Sequence, residues 1–383
     1  MYTLYIGSET YNDYTLIDSI SINYGRQNIQ QQPSPATFSC ILAIPKDQII
    51  TLFNVTDEIA LTVYDDYATT EVTLFAGSIT DYTIGVDRWG NANGIINYSI
   101  TAVGWLNKLN RVDVGSAGYP KDYEGNRIES ILIDCSVSNY FTDVGLYEMA
   151  AVSNGSYDAL ELAQNAANSA MGILTDKPSR SVEITPSIGY YDYNSRTYMP
   201  EISLSINDIA ANGLGISKSL NNVVNQASVT YGSDSTNIST VYDDTTSQSN
   251  YGVISGQRNT YLHNVTDANS VAQILLSARS NPEFQLNSIT VNTAFIDDTL
   301  KSSLYGLMCG TNITIDSLPF QELQSFKGFV EGWTWQINKN GSTLTMYVSS
   351  QGQIYPYTLW NQLSATDTWN TIYTSTTRWS DVN

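Results

Sequence analysis

The chain has 383 residues, which is more than one ordinary domain holds, so about two to four compact units are expected. Charged residues make up only 14% of it, yet 37 acidic residues against 17 basic ones give a formal net charge of −20. Such an acidic surface argues against binding to a nucleic-acid backbone, because that binding depends on Lys and Arg displacing counterions from phosphates.

The amino-acid composition favours β structure. Tyrosine is unusually common, at 27 residues, and Thr and Ile are abundant as well. These residue types suit the pleated, half-buried surface of a sheet. A mainly β protein is therefore the first expectation.

Cysteine usage and hydropathy indicate the compartment. Cys40, Cys135 and Cys309 lie far apart and form no C-x-x-C pair, so they predict neither a zinc site nor a disulfide framework. Such a chain is expected to fold in a reducing cytoplasm. No apolar run approaches the roughly 20 residues that a helix needs to cross a bilayer, and the N-terminus lacks the regions of a signal peptide. The sequence therefore predicts no membrane span.

Strand-like runs fill the first 111 residues. They cover residues 19–23, 36–43, 58–64, 71–83 and 95–102. Residues 105–109 follow with the apolar spacing of a short helix. A first β unit over residues 1–111 is the resulting prediction.

Two helices are predicted in the next part of the chain, over residues 112–200. The first covers residues 127–134, where three aliphatic residues recur at helical spacing. The second begins at a serine N-cap, Ser156, and runs to about Met171. This part therefore reads as a helix-containing insertion.

The β pattern resumes near residue 201. A strand is predicted within residues 219–231, and residues 233–250 are predicted to form a long exposed or locally disordered loop because they are polar and short-sided. A helix over residues 267–279 would be capped by Asp267. Further strands are predicted at residues 288–292, 312–316, 329–338 and 342–349, with a tight turn at 338–341. Residues 201–350 are thus expected to form a second β unit with one helix, followed by a C-terminal segment over 351–383.

Several short motifs occur in a characteristic order. The first β unit contains a "GR…P" stretch at 25–35, an "LFxGxhxD" strand ending at Asp81 and a "TAxGWLxxL" segment ending at Leu109. The second half contains a "vvNxvxvxY" strand ending at Tyr231, a "GxxhxhxxxP" strand over 310–319 and an "hVEGWxWxI" segment over 329–337. Across nearly the whole chain, this order resembles the baseplate hub and minor tail proteins of tailed bacteriophages.

The resemblance implies a fold and an assembly. The fold would be mainly β (β+α), with two tail-tube-like antiparallel β-barrel units, an inserted small α/β region and a few short helices. Three chains would form a homotrimer, so that six similar barrels meet the sixfold tail tube. The implied partners are the tail tube or a distal tail protein, tip or fibre proteins and the tape-measure protein, with DNA passing through but not bound specifically. The implied location is the tail tip or baseplate of the virion, after assembly in the host cytoplasm.

Residues that could carry catalysis are sparse. His263 is the only histidine and precedes a predicted helix, so a structural or surface role is expected. Adjacent acids at 65–66, 243–244 and 297–298 border loops, where Asp favours turns. The sequence contains no H-E-x-x-H, EF-hand or P-loop motif. We therefore expect no enzyme activity, cofactor or metal site.

Two groups of tryptophans stand out. Trp333 and Trp335 alternate on one predicted strand, so both are expected to face the core of the second β unit. Trp360, Trp369 and Trp379 lie in the polar C-terminal segment and are candidates for anchoring against a neighbouring subunit. A sugar-stacking platform is the alternative for these three.

Acidic residues near strand ends are candidates for lining a channel. If the β units form a tube, a lining with few Lys or Arg would let DNA pass without sticking. The candidates are Asp65, Asp66, Asp81, Asp87 and Asp297. The alternative is that the acids cover the outer surface and only keep the protein soluble.

The resemblance implies a structural function, that of a trimeric hub of a phage tail tip or baseplate. It would join the hexameric tail tube to distal tip proteins and form part of the DNA channel. A receptor- or carbohydrate-binding tail protein is the alternative. A tail-associated hydrolase is a third hypothesis, weakened by the absence of a catalytic constellation.

Overall fold

The computed structural model describes residues 2–27, 29–46, 48, 53–86, 94–321, 323–339 and 341–354, except for the side chain of residue 287. Over these ranges the chain is mainly β with large antiparallel sheets, which confirms the predicted fold class. Among the described residues, no helix is both long and apolar enough to span a membrane.

The first β unit contains seven described strands, of which the last five match the predicted runs to within a few residues and the first two were not predicted. They are β1 (Tyr2–Ile6), β2 (Glu9–Thr10), β3 (Ser21–Gly25), β4 (Ser34–Pro45), β5 (Glu58–Asp65), β6 (Thr70–Val86) and β7 (Ile95–Val103). The match follows from alternation, since β4 buries every second residue over most of its length. The long strand β6 pairs with β5 from Thr70 to Ser78 and with β7 from Ser78 onward, with a bulge after Ile79. This switch of partners folds the strands around a shared core.

A helical part follows the short 3₁₀ helix Trp105–Arg111. Its elements are β8 (Asp113–Val114), β9 (Asp122–Tyr123), α1 (Glu124–Asp134), β10 (Tyr140–Thr142), β11 (Glu148–Met149), β12 (Tyr157–Asp158), α2 (Ala159–Ser169), β13 (Ile173–Asp176) and β14 (Ile188–Tyr191). Both predicted helices are present, although α1 begins three residues earlier than predicted.

The predicted start of α2 was wrong. Asp158, and not Ser156, caps the helix, because its carboxylate accepts the Glu161 N–H at 2.7 Å. The Ser156 hydroxyl instead donates to the Asp113 carboxylate at 2.8 Å. Pairing of β12 with β8 keeps the backbone extended through Asp158, which delays the helix by two residues.

The rest of the chain contains the remaining strands and helices. They are β15 (Glu201–Ser205), β16 (Ile209–Lys218), β17 (Gln226–Tyr231), β18 (Asn237–Ile238), β19 (Tyr242–Asp243), α3 (Thr245–Tyr251), β20 (Ser255–Arg258), α4 (Val265–Arg279), β21 (Phe284–Asn292), α5 (Asp298–Tyr305), β22 (Asn312–Asp316), β23 (Phe326–Gln336) and β24 (Thr343–Ser350). The described part of residues 201–350 therefore holds three α-helices, where the sequence predicted one.

The prediction of a loop over residues 233–250 was also wrong, because β18, β19 and all but the last residue of α3 lie in it. Its polar side chains form caps and internal hydrogen bonds. The Asp244 carboxylate accepts the Ser247 N–H at 2.9 Å, and the Ser247 hydroxyl in turn donates to the Ser280 carbonyl. Short polar residues favour helix caps as much as loops.

The predicted cap of α4 needs a similar correction. Asn264 is the N-cap, since its side-chain oxygen accepts the Asp267 N–H at 2.9 Å. Asp267 lies in the first turn, and its carboxylate accepts the Glu148 N–H at 3.2 Å. It therefore ties α4 to β11 as well as stabilising the helix start.

The two β units share one sheet. Among the described residues, 13 strands join it, and its main path runs β16-β21-β24-β23-β3-β4-β7-β6-β5-β1-β2. β22 adds to β23 and pairs in parallel with β15. The first and second β units are therefore continuous through the pairing of β23 with β3.

Two large hydrophobic clusters fill the described part of the chain. The first contains Phe38 and Phe75 of the first β unit together with Trp335 of the second. The second contains Ile131 of α1, Ala163 of α2 and Val271 of α4. We call residues 113–191 and 226–279 the helical region, because their helices share this second cluster. The domain boundaries given above stay predictions, but α4 packs with the insertion that precedes the second β unit.

Candidate functional site

The junction of the two β units is the central feature of the molecule. We call it the seam, and it consists of β3 and residues 332–336 of β23. Gly332 pairs with Gly25, and Gln336 pairs with Ser21, more than 300 positions away along the chain. Side chains reinforce the pairing, since Thr334 Oγ1 donates to Asn23 Oδ1 at 2.7 Å. The two β units are thus held edge to edge.

A buried carboxylate lies at one end of the seam. Glu331 is 2% exposed, and its Oε2 accepts from Arg26 Nε and pairs with Arg26 Nη2, both at 2.7 Å. Arg196 Nη2 lies 3.2 Å from the same oxygen, and Ser349 Oγ donates to Oε1 at 2.6 Å. Arg26 also donates to the Gln31 carbonyl at 2.6 Å. This cluster links three separate stretches of the chain.

The electrostatics keep Glu331 ionised. Burial alone would raise the pKa of this carboxyl, but the adjacent charges of Arg196 and Arg26 lower it to about 2. Both of its oxygens are occupied by donors, so it has no free lone pair aimed at a substrate. The arrangement can hold backbone segments together, and it lacks the open geometry of an acid or base catalyst.

Glycines make the close approach at the seam possible. Gly25 has φ +78°, and a Cβ there would clash with the Glu331 carbonyl oxygen and with Gly332. A Cβ on Gly332 would lie 2.6 Å from the Tyr24 carbonyl oxygen. The "GR" and "VEGW" motifs of the sequence therefore meet in space as the two sides of one junction.

Trp333 and Trp335 are buried, as their alternation predicted, with 2% and 1% exposure. Trp333 does not pack only within the second β unit, because its ring stacks on Tyr24 of β3 with 5.0 Å between centroids. Trp335 lies beside Tyr305 of α5, at 5.9 Å. One tryptophan thus packs across the seam and the other anchors a helix of the second β unit.

A second buried carboxylate ties the helical region to the first β unit. Asp176 accepts the backbone N–H groups of Ala36 and Leu106, both at 2.6 Å. Burial raises the pKa of Asp176 to about 6, although these N–H groups oppose the shift. A Cβ on Gly104 would lie 2.5 Å from its Oδ2, which explains the glycine before Trp105. Nothing in the local sequence around Asp176 signals this role.

The structure brings some of the predicted channel acids together. Asp66 is exposed beside a cavity of about 290 Å³ between the two β units, and Asp298 lines the same cavity. Its neighbour Asp297 is exposed and caps α5 by accepting the Leu300 N–H at 2.8 Å. Asp65 also lines the cavity but is only 3% exposed. Asp65 accepts the N–H groups of residues 67 and 68 at 3.0 and 3.2 Å, as a turn residue does.

The other predicted site residues lie elsewhere. Asp81 is exposed on β6, up to about 35 Å along the strand from the turn that follows Asp65. Asp87, Trp360, Trp369 and Trp379 lie outside the described residues.

His263 is exposed, and its backbone N–H donates to the Glu148 carbonyl at 2.7 Å. No group of three or more His, Cys, Asp or Glu that could hold a metal occurs within the described ranges. Cys40, Cys135 and Cys309 are free thiols.

A larger cleft of about 480 Å³ lies on the helical region. Tyr157 and Tyr261 line it, together with the acids Asp158, Glu161 and Asp234. Aromatic faces beside carboxylates are a combination that can bind polar ligands such as sugars. This cleft could not be predicted from local sequence patterns, because its residues come from distant parts of the chain.

Comparisons with known proteins add the fold relationship. No protein-family model and no curated protein sequence matches the chain. Among solved structures, the chain is similar to a 43 kDa tail protein of prophage MuSo2 from Shewanella oneidensis, with 13% identity and a TM-score of 0.61, covering 92% of this chain and 99% of that one. It is also similar to a tail protein from Neisseria meningitidis, with 12% identity and a TM-score of 0.60, covering 92% and 96%.

A third similar structure comes from a secretion system. It is the Escherichia coli c3393 protein, a component of the type VI secretion system that is described as structurally similar to the T4 bacteriophage tail proteins gp27 and gp5. The identity is 14% and the TM-score 0.56, over 92% of this chain and 78% of that one. The chain therefore has the fold of these phage tail proteins over nearly its whole length.

Proposed function

We propose that this chain is a structural component of a bacteriophage tail, and that it acts as a trimeric hub at the tail tip or baseplate. The observation that carries the proposal is the seam. Two β units are fixed edge to edge in one sheet, within a fold that phage tail proteins share over 92% of the chain. The role is architectural, in keeping with the occupied and buried carboxylate at the seam.

A fixed pair of β units in each chain is suited to joining a threefold assembly to a sixfold tube. Three chains with two similar units each would present six units to a sixfold tube and three equal faces to the proteins below. Each pair must keep a constant angle for this ring to close. The strand pairing of the seam and the Glu331 cluster supply that stiffness, since both lie between the units.

The acidic balance of the chain supports a passage for DNA. We propose that Asp66, Asp297 and Asp81 contribute to an acidic channel lining in the assembled ring. Their carboxylates would repel the phosphate backbone, so DNA would pass without being retained. Asp65 would support this lining from behind by fixing the turn that carries Asp66.

The implied partners follow from this position. The upper face would contact the tail tube or a distal tail protein, and the lower face would contact tip or fibre proteins. The tape-measure protein would lie in the lumen before DNA ejection. Trp360, Trp369 and Trp379 are proposed to anchor one of these contacts between subunits.

Electron microscopy of the purified chain tests the hub proposal. We expect threefold rings with six lobes around a central hole, either alone or after addition of a tail-tube protein. A chain that stays monomeric both alone and with the tail-tube protein, and that is absent from purified tails, would contradict it.

The alternative is a receptor- or carbohydrate-binding tail protein, and the cleft of about 480 Å³ favours it. Tyr261 is 39% exposed and lines this cleft beside Asp158 and Asp234. A glycan array would support the alternative if one glycan class bound and if Tyr261→Ala abolished the signal. If no glycan binds and the chain forms a six-lobed ring, the result would favour the hub function over the carbohydrate-binding alternative.

A further inference from the structure

A small cavity lies behind the seam, between the first β unit, the helical region and the segments that contain Arg196 and Ile354. Its volume is about 40 Å³. Four of the chain's 17 basic residues line it: Arg26, Arg196, Arg258 and Arg279. Apolar side chains of Met171, Ile274 and other residues form the rest of its wall, and none of the described residues that line it is acidic.

The positive charge at this cavity is only partly balanced. Glu331 pairs with Arg26 and Arg196. Arg258 and Arg279 form no ion pair with any residue that the structure describes. The chain has a formal net charge of −20, so this local excess of positive charge is opposite in sign to the charge of the chain as a whole.

Two of the guanidinium groups also have an N–H donor without an acceptor among the described residues. Arg258 Nη2 donates to the carbonyl oxygen and to Oδ1 of Asn168, at 2.6 and 2.7 Å. Its Nε is buried and has no acceptor among the described residues, and the same holds for Nε of Arg196, which is 2% exposed. Buried N–H groups of proteins are normally paired, so two orphan donors at one cavity point to a missing acceptor.

The charges at the cavity repel one another. Burial lowers the pKa of Arg258 to about 9, and the charges of Arg279 and Arg26 lower it further in the same direction. Burial and Arg26 also lower the pKa of Arg279. The C-terminal end of α4 carries partial negative charge and accounts for a cation at Arg279. It does not account for Arg258, which lies at the end of a strand.

We propose that this cavity binds a small oxoanion of the phosphate or sulfate class. Guanidinium groups bind such anions through paired N–H donors, and the cavity has room for about three water-sized groups. Arg258 and Arg279 supply the charge that Glu331 does not balance. The bound ion links α4 and β20 of the helical region to Arg26 and Arg196 beside the seam. Its binding does not depend on assembly of the chain into a ring.

Thermal unfolding in the presence of inorganic phosphate tests the site. With ionic strength held constant by chloride, we expect the melting temperature of the full chain to rise with phosphate and then to saturate, as binding to the folded state requires. Arg279→Gln removes a guanidinium that makes no hydrogen bond to a described residue, so the fold should survive. In this variant the phosphate concentration at half effect should increase at least tenfold.

The matched control is Arg111→Gln, which removes an exposed arginine from the 3₁₀ helix Trp105–Arg111. It should respond to phosphate as the unaltered chain does. An equal response of all three proteins, or stabilisation by acetate but not by phosphate, would overturn the proposal. Selenate soaked into crystals provides a second readout, because its anomalous signal should lie between Arg258 and Arg279. A selenate peak found only at other places would also overturn it.

Discussion

At the scale of single residues, Glu331 takes part in both of the buried ion pairs found among the described residues. It is buried, and two arginines from different stretches share its carboxylate. A buried ion pair adds little to the free energy of unfolding when compared with apolar side chains of similar volume. Removing one partner is costly, however, because it leaves the other charges buried and unpaired. Here the loss would leave both Arg26 and Arg196 without their counter-charge.

The first prediction follows from this imbalance. Glu331→Gln should lower the free energy of unfolding by about 3–5 kcal/mol, measured by denaturant unfolding. Glu161→Gln is the control, since Glu161 is exposed on α2 and should change stability by less than about 0.5 kcal/mol. Equal stability of the two variants would show that the cluster does not hold the β units together.

The second prediction concerns pH. Burial raises the pKa of Glu124 from 4.5 to about 7 and that of Asp176 from 3.8 to about 6. A raised carboxyl pKa gives stability that is present at low pH and is lost as pH rises through the folded value. Glu331 acts in the opposite sense, since its lowered pKa gives stability that is lost as pH falls from 4.5 towards 2.

The free energy of unfolding should therefore peak near pH 4.5 and fall between pH 4.5 and 7. In the Glu124→Gln variant, the decrease in the free energy of unfolding over this pH range should be smaller by on the order of 3 kcal/mol. In the Glu161→Gln variant, the free energy of unfolding should depend on pH as it does in the unaltered chain. Chemical denaturation across this pH range measures both. A slope that is the same in the two variants would assign the fall to general repulsion among the acids.

At the scale of elements, the seam offers a direct test. Asn23 of β3 and Thr334 of β23 face each other across the junction. The Cβ atoms of such facing residues lie about 4.5–5.5 Å apart, close to the range that a disulfide spans. Oxidation of the double variant Asn23→Cys and Thr334→Cys should therefore form a bond in the folded chain.

The locked chain should keep its assembly behaviour, because we propose that the two β units stay joined in the ring. Non-reducing electrophoresis would measure the bond, and microscopy would measure the rings. The single-cysteine variants control for the native thiols. Rings that form only after reduction would mean that the seam opens during assembly.

Local patterns allowed much of the first β unit to be predicted from the sequence. The strands β4 and β7 were predicted from their strand-like sequence patterns, and their observed bounds differ from the prediction by at most a few residues. Helix starts were less accurate, because Asp158 and Ser156 are equally good caps and only the pairing of β12 with β8 decides between them.

Long-range features could not be predicted in this way. The pairing of β3 with β23 leaves no local pattern, although the "GR" and "VEGW" motifs mark its two sides. Asp176 lies in an ordinary stretch, and its role depends on backbone groups about 70 and 140 positions away. The packing of α4 with α1 and α2 likewise brings together residues on either side of β15 and β16.

At the scale of the whole molecule, the acidic lining can be tested through DNA release. Asp66→Lys and Asp81→Lys place cations where we propose that the channel passes, so DNA should leave the particle more slowly. Asp234→Lys and Glu161→Lys make the same charge change on the helical region and serve as the control. Release kinetics from assembled particles measure both, and an equal delay in the control would contradict a channel role for Asp66 and Asp81.

The proposed hub requires three copies of this chain that present six β units at the end of a tail. A cryo-electron microscopy reconstruction of the purified tail measures the copy number directly. We expect three copies in a ring, with the seam of each chain intact and a sixfold tube stacked on the six β units. Six or twelve copies per tail, or a location away from the tube axis, would contradict it.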